Sequence, residues 1–198
     1  MIGNKTKVIA IEGPDRVGKA TQSLMLVAHL RLCGYKVALI EVPVFSNVVT
    51  YKLIYWMLKN GLAETLPTTF QLVHFLNKYF FQELELKRMT EFDYVVFDRW
   101  RLSSLVYGSL TGAVEKCVQY TYDKLVQPDM TIVLHGASYK REEEEDVYER
   151  NVQLQRQVTA TYVRWTEDNP HGTPVAADGS QMSVHKSIID ALQCANLL

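Results

Sequence analysis

The most constraining feature of the chain is a glycine-rich turn between an apolar run and a helical pattern. Gly13, Gly18 and Lys19 satisfy the spacing G-x-x-x-x-G-K. Residues 8–11 before the turn predict a buried strand, and residues 20–32 after it predict a helix. Backbone N–H groups of such a turn surround phosphate oxygens, while the helix N-terminus and the lysine add positive charge. The pattern therefore predicts a nucleotide phosphate site; the alternative is an ordinary strand-turn-helix.

The residue after the loop lysine departs from this motif. A serine or threonine is expected there, because its hydroxyl ligates the Mg²⁺ of the nucleotide, but the chain has Ala20. Thr21 follows one residue later. Since a helix advances about 100° per residue, we expect its hydroxyl to point elsewhere. The sequence predicts nucleotide binding through the backbone and Lys19, with Mg²⁺ held by water and other groups.

Composition and charge are those of an ordinary folded protein. The 198 residues suit one domain, 1–198, with 47% hydrophobic and 22% charged residues. The formal net charge of −1 gives no polyanion-binding surface, so nucleic acid is not an expected partner. The 3 widely spaced cysteines indicate reduced, buried thiols and no zinc site. With no apolar run of about 18 residues and no signal sequence, we expect a cytoplasmic protein without membrane contact.

Apolar runs and helical patterns alternate along the chain. Strands are predicted at residues 8–11, 36–42, 94–97, 131–134 and 173–177. Helices are predicted at residues 20–32, 48–59, 68–90, 102–110, 114–126, 148–167 and 184–195. This alternation predicts an α/β fold, a parallel sheet with helices on both faces. Ligands of such sheets bind beyond the carboxyl ends of the strands, where the loop, Pro43, Asp98 and Asp178 fall.

Two pairs of charged residues are expected at this edge of the sheet. Asp98 and Arg99 follow the strand at 94–97. The aspartate would hold Mg²⁺ through water or orient an attacking oxygen, and the arginine would bind phosphate oxygens; the alternative is a helix cap with a surface charge. Asp15 and Arg16 lie within the loop. There Arg16 would stabilise the migrating charge, and Asp15 would meet a hydroxyl of the acceptor.

Several segments together resemble the thymidylate kinase family. They are EGPDRVGKATQ at 12–22, Pro43, LVHFLNKYF at 72–80, FDRW at 97–100 followed by Ser103-Ser104, and DVYE at 146–149. The resemblance implies a P-loop kinase fold with a five-stranded parallel sheet. It also implies transfer of the γ-phosphoryl group of ATP to dTMP with Mg²⁺, a homodimer, and a lid at 136–148. The charged run at 140–146 is either part of this lid or a solvated loop.

The resemblance also implies roles for individual residues. The implied ATP site is the loop and the turn after it: Gly13, Pro14, Asp15, Arg16, Val17, Gly18, Lys19, Ala20 and Thr21. The implied catalytic residues are Arg16, Lys19, Asp98 and Arg99, with Asp98 at the metal. The implied acceptor site consists of Asp15, Phe45, His74, Phe75, Lys78, Arg99, Ser103, Ser104, Tyr107, Tyr148 and Gln155. Among these, Asp15 would meet the 3′-hydroxyl and Arg99 the acceptor phosphate.

The acceptor site departs from the family pattern at several positions. Phe45 replaces an arginine that clamps the acceptor phosphate, and Val147 replaces an arginine of the lid. His74 stands where an aromatic side chain stacks on thymine, although Phe75 would take that place if the register differs by one. Lys78 keeps the charge of a base-reading arginine without its planar fork. Three alternatives follow: a dTMP kinase, a kinase for dUMP, a modified pyrimidine nucleotide or a nucleoside, or a nucleotide-binding dimer without turnover.

Overall fold

A computed structural model describes residues 6–136 and 152–198 of the chain. The strands are β1 (Lys7–Glu12), β2 (Val37–Glu41), β3 (Tyr94–Asp98), β4 (Met130–His135) and β5 (Gly172–Ala176). The α-helices of the described ranges are α1 (Lys19–Leu32), α2 (Val48–Lys59), α3 (Leu62–Thr65), α4 (Pro67–Leu84), α5 (Arg101–Leu110), α6 (Glu115–Lys124), α7 (Val152–Glu167) and α8 (Gln181–Cys194). A short 3-10 helix, Leu86–Arg88, follows α4.

The strands form one parallel sheet in the order β2-β3-β1-β4-β5. Strand β1 is central: Ile11 pairs with Asp98 of β3 on one side and with Ile132 of β4 on the other. The carboxyl ends of these three strands therefore meet at one edge, from which the glycine-rich loop leads into α1. The predicted five-stranded parallel sheet is confirmed.

Side chains of the sheet alternate between two packed faces, as the two-residue period of a strand requires. Ile9 and Ile11 join a core with buried residues of α1 and α8. Val8 and Ala10 point to the opposite face, where they pack with Phe81 of α4. A further core fills the space among helices α2, α4, α5 and α7. Helices cover both faces, which confirms the predicted arrangement.

Most predicted boundaries agree with the structure to within a few residues, but the long helix at 68–90 does not. Helix α4 ends at Leu84, and its C-cap Glu85 has non-helical dihedrals of φ −121 and ψ −59. The chain turns there and buries Leu86 completely in the core that contains Phe81. The apolar pattern continues through this turn and so hides it. Helix α3 is not predicted, and residues 148–151 of the predicted helix 148–167 lie outside the described ranges.

The cysteines are less buried than the sequence indicates. Cys33 and Cys194 are exposed and Cys117 is half-buried, so the prediction of buried thiols is wrong. Cys33 is the C-cap of α1 and Cys194 is the last residue of α8, and such helix ends face solvent. In the two described ranges, every helix is too short or too polar to cross a membrane.

Candidate functional site

The turn between β1 and α1 has the backbone shape of a phosphate-binding loop. Gly13 and Gly18 have φ values of 142 and 96, and a Cβ on Gly13 would lie 2.4 Å from the carbonyl oxygen of Leu134. Arg16 is also left-handed, with φ 62. Helix α1 begins at Lys19, and its N-cap Gly18 has no side chain to bind the first N–H groups. These N–H groups are therefore open to an anion.

Lys19 lies at the base of this loop. Its side chain is buried, and its ammonium donates a hydrogen bond to the carbonyl oxygen of Pro14. Burial, followed by the positive charge of Arg99, lowers the pKa of Lys19 to about 7, although Asp15 and Asp98 oppose this shift. A phosphate beside the ammonium favours its charged form. The free site is therefore ready to take up a proton together with an anion.

A cavity of about 740 Å³ opens above the loop. Seven of the predicted ATP-binding residues line it, namely Asp15, Arg16, Val17, Gly18, Lys19, Ala20 and Thr21, whereas Gly13 and Pro14 do not. Asp98 and Arg99 line it from the end of β3, and Ala177, Gln181 and Val184 line it from the start of α8 and the turn before it. Its volume lies within the range of about 300–1,000 Å³ that small-molecule sites occupy.

A second cavity of about 250 Å³ lies between α4 and α5. Its apolar wall consists of Val42, Pro43, Ile54, Leu58 and Phe70. Its polar wall consists of Gln71, His74, Lys78, Ser103, Ser104 and Tyr107. Asp15 and Arg99 line both cavities, as do Val42, Pro43 and Tyr55. The two cavities therefore adjoin, and Asp15 and Arg99 are the charged residues of the wall that they share.

The carboxylate of Asp15 has three partners at this junction. It forms an ion pair with Arg99, and it accepts hydrogen bonds from the Tyr107 hydroxyl at 2.6 Å and the Gln155 amide at 3.0 Å. The Asp15 N–H donates to the Gln155 Oε1 atom at 3.1 Å. Burial would raise the pKa of Asp15, but Arg99, Lys19 and these hydrogen bonds together hold it below its ordinary value. Asp15 is therefore a fixed negative charge between the cavities.

Asp98 directly precedes Arg99 in the chain and lines the larger cavity, as does Glu41. Burial raises the pKa of Asp98, while Arg99 and Lys19 oppose the shift. Residues 6–136 and 152–198 contain no cluster of three or more His, Cys, Asp or Glu side chains that would hold a metal alone. One carboxylate beside a phosphate loop nevertheless fits Mg²⁺, which binds through one or two carboxylates, water and substrate phosphates. Ala20 adds no oxygen to such a set.

Lys78 is buried in the wall of the smaller cavity. It is 1% exposed and donates hydrogen bonds to the Trp100 carbonyl oxygen at 3.0 Å and the Ser104 Oγ atom at 2.5 Å. Burial is the main cause that lowers the pKa of Lys78 to about 8; Glu12 raises this pKa and Arg99 lowers it. The third N–H of the ammonium remains for a ligand, because an ammonium has three donors.

His74 occupies the same wall as a neutral ring. Burial, with the charges of Lys78 and Arg99, lowers the pKa of His74 to about 3. Its ring meets Phe70 edge-on, with centroids 4.7 Å apart. A neutral imidazole offers one donor and one acceptor to a ligand. The predicted position of His74 beside the acceptor is therefore compatible with this cavity.

Three described residues predicted to bind the acceptor do not line the smaller cavity: Phe45, Phe75 and Gln155, the last of which donates to Asp15 instead. Phe75 packs against Tyr79, with centroids 5.2 Å apart, in the core beneath the sheet, so it does not replace His74. One residue along a helix is a turn of about 100°, which separates the two side chains. Phe45 lines the larger cavity instead and meets Tyr51 edge-on. Tyr148 lies outside the described residues, as do Val147 and residues 137–148 of the predicted lid.

Two buried polar residues of the site are not singled out by the sequence patterns. Gln71 is 4% exposed and lines the smaller cavity, and its amide has no hydrogen-bond partner within the described ranges. Its spacing from His74 and Lys78 is i, i+3 and i+7, which places all three on one helical face and is a signal in the sequence. Glu12 is fully buried at the end of β1. Val8, Ala10 and Glu12 are alternate residues of β1, so the two-residue period of the strand predicts that all three point to the same face of the sheet.

Comparison with known proteins gives the family. The model of a family described as "Thymidylate kinase" matches residues 11–188, which is most of the chain. The chain belongs to the thymidylate kinase family. It is similar to the thymidylate kinase of Schizosaccharomyces pombe, with 23% identity over 205 residues, covering 98% of this chain and 95% of that protein. It is also similar to the Plasmodium falciparum thymidylate kinase, with 27% identity over 172 residues, covering 83% and 80%.

Solved thymidylate kinase structures have the same fold. The structure from Ehrlichia chaffeensis has a TM-score of 0.72 at 20% identity and covers 95% of this chain and 99% of that one. The structure from Candida albicans has a TM-score of 0.76 at 20% identity and covers 98% and 93%. The P-loop kinase fold expected of a thymidylate kinase is therefore confirmed.

Replacing Lys19 with methionine is expected to stabilise the free protein. The unfolded chain holds the lysine proton up to a pKa near 10.5, whereas the folded protein loses it near 7. The destabilisation is therefore complete below about pH 7 and fades as the pH rises towards 10.5. We expect Lys19→Met to raise the calorimetric midpoint at pH 7 by roughly 3 °C or more, and the gain to shrink at higher pH. The exposed Lys52→Met is the control, and a lower midpoint for Lys19→Met contradicts the argument.

Proposed function

We propose that this protein transfers the γ-phosphoryl group of ATP to dTMP and forms dTDP. The observation that carries the proposal is the pair of adjoining cavities that share Asp15 and Arg99. The larger cavity lies on the phosphate loop and suits ATP, and the smaller one suits the acceptor nucleotide. Membership of the thymidylate kinase family supports the same reaction.

The reaction needs alignment and charge neutralisation more than proton transfer. The attacking oxygen belongs to a phosphate that is already anionic, so no strong base is required. Lys19 and the loop N–H groups would bind the ATP phosphates, and Arg99 would bind the acceptor phosphate at the junction. Arg16, on the left-handed turn of the loop, would stabilise the migrating charge. Mg²⁺, held by Asp98 and phosphate oxygens, would neutralise further phosphate charge when bound.

A different acceptor is the second candidate, and the polar wall of the smaller cavity favours it. Gln71 and His74 offer hydrogen bonds where an apolar site would offer none. A modified pyrimidine nucleotide whose base carries an additional polar group would use them, and dUMP, which lacks only the 5-methyl group of dTMP, offers the same polar groups as dTMP. Loss of turnover is less well supported, because Asp15, Lys19 and Arg99 all line the larger cavity. A nucleoside acceptor would leave Arg99 without a phosphate to bind.

A homodimer is also proposed, through the outward face of α4. Four exposed apolar side chains recur along it at intervals of four residues: Leu72, Leu76, Phe80 and Leu84. A contiguous apolar stripe of this kind typically marks a protein interface. A second copy of the chain would cover the stripe with the same stripe about a two-fold axis. The single domain 1–198 and the cytoplasmic location remain predictions.

The proposed reaction is tested by measuring ADP formation with a panel of acceptors. Purified protein is mixed with ATP and dTMP, dUMP, dCMP, dGMP or thymidine, with and without Mg²⁺. We expect Mg²⁺-dependent turnover with dTMP, and Lys19→Met is expected to abolish it. Turnover with another pyrimidine monophosphate only would select the second candidate. Binding of ATP without turnover on any acceptor would contradict both.

Removing the amide of Gln71 tests the acceptor cavity. Gln71→Leu keeps the size of the side chain but removes its donors and acceptor. A lost buried hydrogen bond amounts to about 1 kcal/mol, so we expect the KM for the acceptor to rise roughly five-fold while kcat and the KM for ATP stay within about two-fold. Gln127→Leu, at an exposed position, is the control. An unchanged acceptor KM would exclude Gln71 from the site.

A charge on the apolar stripe tests the dimer. Phe80→Lys places an ammonium in the middle of the stripe, where burial against a second copy would desolvate it. We expect sedimentation velocity to show a dimer for the unchanged protein and a monomer for this variant. Tyr120→Lys, at an exposed aromatic on α6, is the control and should remain dimeric. A monomer in the unchanged protein would contradict the proposed interface.

A further inference from the structure

Glu12 is a fully buried carboxylate at the end of β1. Its Oε1 atom accepts hydrogen bonds from the N–H groups of Trp100 at 2.8 Å and Ser103 at 3.2 Å. Its Oε2 atom accepts from the Ser103 hydroxyl at 2.5 Å and the Tyr162 hydroxyl at 3.2 Å. Because Trp100 is the N-cap of α5, Glu12 supplies the acidic cap of that helix from a distant strand.

The same bonds fix the backbone on which Arg99 sits. Arg99 has a φ of 66, a left-handed conformation that is unfavourable for residues other than glycine. Its own N–H donates to the Ile11 carbonyl oxygen at 3.0 Å, and the next N–H, of Trp100, donates to Glu12. Both bonds tie the strained residue to the end of β1. The Arg99 guanidinium is thereby directed at Asp15 between the two cavities.

Glu12 also reaches Lys78 through the same peptide. The Trp100 N–H donates to Glu12, and the Trp100 carbonyl oxygen accepts from Lys78. Glu12 is the anionic partner that supports the charged form of Lys78, whereas Arg99 opposes it. The remaining groups against Lys78 are neutral: the Ser104 hydroxyl and the His74 ring. One carboxylate therefore supports two cations that line the acceptor cavity.

We propose that Glu12 is a positioning residue for phosphoryl transfer, because its buried carboxylate holds both Arg99 and Lys78 in place at the acceptor cavity. The inference rests on the proposed function, since it assigns the acceptor phosphate to Arg99 and the acceptor base to Lys78. Glu12 itself lines neither cavity. It acts on the substrate only through these two side chains.

Glu12→Gln is the first test, because it keeps the shape and the Oε1 acceptor but removes the charge. We expect kcat/KM for dTMP at pH 7 to fall by roughly 30-fold or more, with the KM for ATP within about three-fold. Lys78 must be protonated to bind an anion or a carbonyl oxygen, so kcat/KM for dTMP falls as the pH rises through its pKa near 8. This decrease is the alkaline limb of the pH profile. In Glu12→Gln we expect the alkaline limb to move to lower pH by at least about half a unit, because Lys78 loses the nearby negative charge.

Two further variants separate charge from packing. Tyr162→Phe removes one hydrogen bond to Glu12 and keeps the carboxylate, so the alkaline limb should stay in place. Glu12→Asp keeps the charge but shortens the reach, so kcat/KM should fall about ten-fold or more with the limb unmoved. If Glu12→Gln does not fold, as judged by calorimetry, Tyr162→Phe and Glu12→Asp still test the positioning role of Glu12. The proposal would be overturned if Glu12→Gln loses less than three-fold in kcat/KM and its alkaline limb does not move. Full activity in Glu12→Asp would also overturn it.

A titration of Lys78 separates this inference from the proposed reaction. The side-chain nitrogen of Lys78 is followed by NMR in ¹⁵N-lysine-labelled protein without substrate. If the pKa of Lys78 is lower in Glu12→Gln than in the unchanged protein, the role of Glu12 is supported, whether or not dTMP is turned over. A lack of dTMP turnover would refute the proposed function alone. An equal pKa in both proteins, together with normal turnover of dTMP, would refute the role of Glu12 alone.

Discussion

The ion pair between Asp15 and Arg99 is the interaction on which the site depends. It joins the phosphate loop to the start of α5, and it forms the boundary between the two cavities. Neither charge would be stable there alone, because an unpaired buried charge is strongly destabilising. Tyr107 and Gln155 complete the coordination of the carboxylate. These contacts hold the two side chains of the pair in a single conformation. Their position sets the distance between the two ligand sites.

Around this pair, the free site is close to charge balance within a buried volume. Its cations are Arg16, Lys19, Lys78 and Arg99, and its carboxylates are Glu12, Asp15, Glu41 and Asp98. The two lysines show the effect of burial, since each has a lowered pKa. Phosphate groups of the substrates would add negative charge and favour both ammonium groups. Ligand binding would therefore return stability that the free protein lacks, as mass action requires for any ligand specific to the folded state.

The sheet and the loop follow from local patterns, whereas the contacts of the site do not. Apolar runs and glycine spacing predict β1, α1 and the phosphate site, because strand period and loop chemistry are encoded by neighbouring residues. The end of α4 is missed, because Leu86 continues the apolar pattern after the helix has stopped. His74 and Phe75 differ by one residue, and only the packing of α4 decides which of them lines the cavity.

Long-range partners explain what the sequence leaves out. Glu12 bonds to Trp100, Ser103 and Tyr162, which lie 88, 91 and 150 residues further along the chain. No local pattern contains such a relation, although a charged residue that ends a buried strand is a hint of one. Gln71 is closer to a predictable case, because its helical spacing to Lys78 is visible in the sequence. Gln71 lies just outside the segment at 72–80 that resembles the family.

Helix α4 carries two surfaces on one rigid rod. Its inward face supplies the polar wall of the smaller cavity, and its outward face carries the exposed stripe from Leu72 to Leu84. A helix transmits small displacements along and across its axis, so movement imposed at one face is felt at the other. In a dimer joined through this stripe, two acceptor cavities would be separated by only a pair of helices. Binding in one cavity and association of the chains would then be thermodynamically linked, each changing the free energy of the other by an equal amount.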